Sequence, residues 1–185
     1  MSQSDNLHSY KIEPRFALLC GFILLAVLYR ILPHPPNFSP VAAMALFAGA
    51  KFARFPIALV MTFAMLLLSD LFLGFYDGML FVYGGMLSIC LIGLSLRKNI
   101  SLLKFLGGTL GATFAFFLIS NFGVWWMTDL YPNTASGLLA CYLAAIPFMQ
   151  HSLLSNLLFG VVLFGGLYLL ESHYPRLRES NSKAH

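Results

Sequence analysis

The chain has 185 residues, of which 59% are hydrophobic and only 10% charged, with a net charge of +4. A soluble domain carries about 25% charged residues, so this one lacks the polar surface to face water. Its 18 Phe residues and long aliphatic runs equally exclude a disordered chain. The composition is that of a polytopic membrane protein. The basic residues lie in small groups between apolar segments, the pattern of orienting charges rather than of a nucleic-acid surface. Cys20, Cys90 and Cys141 sit inside apolar stretches at scattered spacings, which excludes a disulfide framework or a zinc knuckle.

Lys11 and Arg15 precede the first apolar run, as in a signal peptide. The run continues into Tyr29 to His34 without a small-x-small site, so it reads as an uncleaved first span. Apolar segments follow at 16–32, 39–54, 56–75, 79–96, 103–126 and 149–170. Most have the ~17–25 residues a bilayer helix needs. The apolar core of the second, Val41 to Ala50, spans only about 15 Å, and Gly137 to Pro147 is another short stretch. Charge decides between topologies. If the second segment crosses and 137–147 does not, ten of the eleven basic residues share the N-terminal side, leaving Arg30 alone opposite. The positive-inside rule then predicts six transmembrane helices with both termini cytoplasmic. Residues 1–15 and 172–185 read as tails around one transmembrane domain, 16–171.

With the spans oriented, polar residues gather at the outer ends. Asp70 lies near the end of the third segment, and Asn121 and Trp125 near the end of the fifth. His151 and Asn156 open the sixth, Arg30 closes the first, and His34 and Asn37 follow in a loop with four prolines. Tyr83, on the fourth, completes the candidate set. A carboxylate in hydrocarbon costs about 2.5–3.5 kcal/mol on insertion scales, so it faces a partner or a wet cavity. The convergence predicts an outward-open pocket with Asp70 at its centre and Arg30, Asn121 and His151 as companions. Each group has a plainer reading: an Asp70 ion pair, a snorkelling Arg30, an aromatic belt at Trp125, helix-packing amides. Small residues at helical spacing mark close approach. Gly107, Gly111 and Ala115 suggest internal packing, and Ala17 with Gly21 a surface for either packing or a partner protein.

No phosphate-binding loop, dinucleotide fingerprint, nucleophile elbow or zinc motif occurs, so neither an enzyme nor a cofactor or metal site is expected. Four stretches carry a resemblance: Arg30 to Val41, Ser69 to Asp77, Ser120 to Trp125, and Tyr142 to Phe148. Over roughly 28–170 the chain resembles an uncharacterised bacterial family of small transport-class proteins. That family is similar to the substrate-binding S components of energy-coupling-factor transporters, and to the solitary cobalamin transporter related to them. The resemblance implies an S-component-like six-helix bundle capturing a vitamin, cofactor precursor or metal complex from outside. It also implies an energy-coupling transmembrane and ATPase module as partner, docked at the first helix; Ala17-x-x-x-Gly21 stands where the family has Ala-x-x-x-Ala. The competing expectation is a membrane assembly subunit whose polar residues only pack helices.

Overall fold

Proline at the first turns of two segments and hydroxyl caps at two others set where helices begin. Pro14 and Pro56 occupy first-turn positions, where the missing N–H costs nothing. Ser101 and Thr134 accept the backbone N–H groups of Lys104 and Gly137, at 3.3 and 3.1 Å. The computed structural model describes residues 13–178. Lys11, Lys183 and most of the expected tails lie outside the described residues. The helices are α1 (Pro14–Ile31), α2 (Val41–Lys51), α3 (Phe55–Leu73), α4 (Met79–Leu94), α5 (Leu102–Met127) and α6 (Ala135–His173), and a 3-10 turn follows at Pro175–Leu177. No strand occurs among the described residues. Four of these helices, α1, α3, α5 and α6, are long and apolar enough to cross a bilayer, which makes this a multi-pass membrane protein.

α2 is shorter than the apolar segment 39–54 in which it lies. Its 11 residues reach about 16 Å, near half the ~30 Å hydrocarbon core. It lies at the centre of the bundle, packed against all five other helices, with Ala45, Phe47 and Ala48 fully buried. Against α4 the approach is backbone to backbone. A methyl group on Gly49 would collide with the carbonyl oxygen of Cys90, and one on Gly93 with that of Leu46. Only hydrogen fits at either position. At the end of α2, Arg97 donates from Nε to the Gly49 carbonyl at 2.8 Å and from Nη2 to that of Phe52 at 2.7 Å. A cation on orphaned terminal carbonyls offsets the negative end of the helix dipole. Arg97 is therefore a helix cap, beyond the orienting charge expected of it.

The other short segment is part of α6. Residues 137–147 and 149–170 form one helix of 39 residues that runs through Pro147. A proline inside a helix removes one hydrogen bond, and the short apolar stretch 137–147 ends at it. The helix persists because one face continues across it: Cys141 and Ala145 before the proline, and Asn156 after it, are all buried. α5 accepts that face. Tyr142 Oη donates to the Leu118 carbonyl at 2.8 Å, and Asn156 Nδ2 donates to Thr113 Oγ1 at 3.0 Å.

Gly107 and Gly111 also differ from expectation. Both are exposed with open space beside them, so that stripe is outward-facing rather than internal packing. Arg15 near the start of α1 pairs with Glu171 near the end of α6, bringing the two described ends of the helical chain to one end of the bundle. Arg30, at the last turn of α1, lies at the other end.

Candidate functional site

At the Arg30 end lies a cavity of about 580 Å³. Every helix contributes to its wall: Arg30 from α1, Val41 and Ala42 from α2, Leu66 from α3, Met86 from α4, Phe116 from α5, and Ser152 and Asn156 from α6. A smaller cavity of about 250 Å³ adjoins it, and Asn37, Tyr76, Phe116 and Ser152 border both.

The rim is the proline-rich loop, held at several points. Phe38 N–H donates to the Pro35 carbonyl at 3.0 Å, and Ser155 of α6 donates to the Ser39 carbonyl at 2.8 Å. His34 stacks on Tyr29, with ring centroids 5.6 Å apart. Asn37 has φ of 58°, the left-handed region that asparagine tolerates better than most residues. The opposite rim is the connection from Gly74 to Gly78, whose glycines have φ of 91° and 80°. These conformations suit a residue without Cβ and turn Tyr76 toward both cavities. Burial pushes the Tyr76 phenol above its ordinary value, the Asp70 carboxylate adds to this, and the Arg30 charge and hydrogen bond oppose it. Tyr76 therefore keeps its proton at neutral pH.

Behind the wall sits the polar core of the site. Asp70 is 0% exposed, and its Oδ1 lies 2.7 Å from Arg30 Nη2. That oxygen has a short ion-pair distance but no hydrogen bond of good angle. Oδ2 accepts from Tyr83 Oη at 3.0 Å. Arg30 Nη1 donates to Ser69 Oγ and to the Leu66 carbonyl. The spacing explains the arrangement: Leu66, Ser69 and Asp70 occupy i, i+3 and i+4 on one face of α3, and Arg30 reaches across from α1 to all three.

The expected site residues therefore divide. Arg30, His34, Asn37 and Asn156 line the larger cavity, and Asn121 lines the smaller one. Asp70 and Tyr83 touch neither and act on the site through Arg30. Two residues lie elsewhere. His151 is exposed and lines neither cavity, because the cavity face of α6 carries Ser152 and Asn156, about 100° around the helix. Trp125 donates from its indole to the Pro132 carbonyl at 3.0 Å, tying the end of α5 to the α5–α6 turn. Sequence reasoning missed Tyr76 as a wall residue; its signal is a tyrosine set between two glycines just past an intramembrane carboxylate. Ala17 is exposed, and nothing lies within 4 Å of where a methyl on Gly21 would sit, so that face of α1 is open.

Among the described residues, no three His, Cys, Asp or Glu side chains gather as metal ligands would. Chemically, the arrangement can bind: it offers a guanidinium, hydroxyls and amides above an apolar floor. No curated protein and no solved structure matches the chain. A family pattern does match, over residues 10–177. The chain belongs to that family, the family of unknown function DUF6580.

Proposed function

We propose that the protein captures a small solute from one side of a bacterial inner membrane for uptake. One observation carries the reading: a cavity walled by all six helices with a charged side chain fixed in its wall. Ligand sites are concave, mostly apolar and about 300–1,000 Å³, with a few placed polar groups, and this cavity has each of those features. A subunit whose polar residues merely pack helices has no need of such a space. The Arg30–Asp70 pair alone would suit that second role. The vitamin-capture proteins resembled by the sequence would use the same cavity, and the open face of α1 at Ala17 and Gly21 would suit an energy-coupling partner. The reading includes no catalytic step.

Native mass spectrometry on protein purified from its host tests this. Wild type is expected to carry a small-molecule adduct, and Ser152→Trp, which fills the cavity, to lose it with little change in melting temperature. A wild type that carries no adduct, and that no fraction of cell extract stabilises, overturns capture.

The proposed topology is six crossings, the second completed by the non-helical backbone on either side of α2, with both termini cytoplasmic and the cavity outside. Its support is the ten-to-one division of basic residues and the Arg15–Glu171 pairing at the opposite end from the cavity. Reporter fusions after Lys98 and after Asn133 are expected to fall on opposite sides. Matching signals at those positions refute it.

A further inference from the structure

The wall of the larger cavity is asymmetric in charge. Arg30 faces it with a side chain 14% exposed, whereas the counter-ion Asp70 lies wholly buried behind. A solute therefore meets N–H groups and never the carboxylate. A guanidinium has five N–H donors in a planar fork; Leu66 and Ser69 take both hydrogens of Nη1 and Asp70 lies against Nη2, which leaves the edge that carries Nε for a solute. Asn37, Ser39, Tyr76 and Ser152 add side chains able to donate, and among the described residues no Asp or Glu lines this wall. Asp77 borders only the smaller cavity.

The helix dipoles point the same way. Val41 and Ala42, the first residues of α2, lie in the wall. Among the described residues no side chain caps that helix start, and its first turn has no acidic residue. Arg97 offsets the negative end of α2, so the positive end is left facing the cavity. N–H groups left uncapped at a helix start favour an anion. Leu66, Val82, Met86 and Phe116 add apolar wall to the same cavity.

We infer that the solute is a soluble organic anion, a carboxylate on an apolar or aromatic body, whose charged end meets Arg30. This rests on the capture reading and names the substrate class for that site. A carboxylate fits better than a dianionic phosphate, because Asp70 already balances most of the Arg30 charge. The Nε–Nη2 edge of the guanidinium suits two parallel N–H···O bonds to one carboxylate.

The probes are 3-phenylpropanoate, its amide and the corresponding ammonium, which share one body and differ in charge. Binding is read as affinity and melting shift for protein in phosphatidylcholine nanodiscs. The carboxylate is expected to bind at least tenfold more tightly than the amide, and the ammonium not at all. Arg30→Gln combined with Asp70→Asn removes both charges without stranding either, and is expected to abolish the preference. Asp70→Asn alone unmasks Arg30 and is expected to widen it. Equal binding of amide and carboxylate, a preference that survives the double variant, or no binding of the carboxylate at millimolar concentration overturns the inference. Stabilisation that requires phosphatidylglycerol in the disc instead makes a lipid headgroup the anion, and overturns a soluble solute. A natural adduct that Ser152→Trp displaces, together with equal binding of the three probes, would sink the anion inference and leave capture standing.

Discussion

Gly49→Ala is expected to destabilise the protein by at least about 3 kcal/mol, the upper part of the range for overpacking a tight core. The new methyl would press on the Cys90 carbonyl, and its next neighbours are the Cys90 carbonyl carbon at 3.0 Å and Gly93 Cα at 3.1 Å. All of these are backbone, so no side chain can rotate away. Relief requires α2 and α4 to separate, and α2 touches every other helix. By the usual scaling for a chain of this length, about 6–12 °C should be lost from the melting temperature. Gly107→Ala is the control, since nothing lies within 4 Å of a methyl there, and it should melt like wild type. Equal melting of Gly49→Ala and wild type would refute the close crossing.

Asp70→Asn is expected to cost about 3 kcal/mol, the lower end for breaking a buried ion pair by removing one partner. The lower end applies because the Arg30 side chain, 14% exposed, can draw solvent from the cavity. The penalty comes from the stranded guanidinium, not from a lost contact alone. The double variant Arg30→Gln with Asp70→Asn should therefore recover most of the stability, a non-additivity that thermal unfolding of the three variants measures directly. Additive losses would mean that the two residues are not energetically coupled. If Asp70→Asn instead melts normally and loses all ligand affinity, Asp70 itself is the binding group.

How much of this was legible in the sequence depended on what each signal reports. Hydropathy and length gave the long helices closely: 56–75 against Phe55–Leu73, and 103–126 against Leu102–Met127. They failed where tertiary packing overrides local preference. Pro147 is a helix breaker in isolation, but packing along Cys141, Ala145 and Asn156 holds the helix through it. Glycine spacing alone could not say which side a neighbour occupies: Gly107 and Gly111 face outward, whereas Gly49 and Gly93, never singled out, make a backbone-to-backbone contact. At the site, the gathering of polar residues at one end was readable because each lies at the same end of its helix. The direction of each was not. One residue of register separates Ser152, in the cavity wall, from His151, outside it, and depth gives no information about rotation. Asp70 was expected to face the solute; its total burial reverses the roles, with Arg30 presented and Asp70 holding it.

The shortness of α2 also bears on how such a chain is assembled. A translocating segment is released into lipid on its own apolar length, and 11 residues are too few to bridge the hydrocarbon. The backbone flanking α2, at 33–40 and 52–54, is non-helical, and non-helical backbone at membrane depth is tolerated only when sheathed by protein. The sheath includes α4, α5 and α6, which are synthesised later. α2 is thus the second helix to be made, yet its contacts with α4, α5 and α6 can form only after those helices exist. Ribosome-bound chains truncated after α3 would therefore hold α2 without the contacts that bury it in the complete bundle.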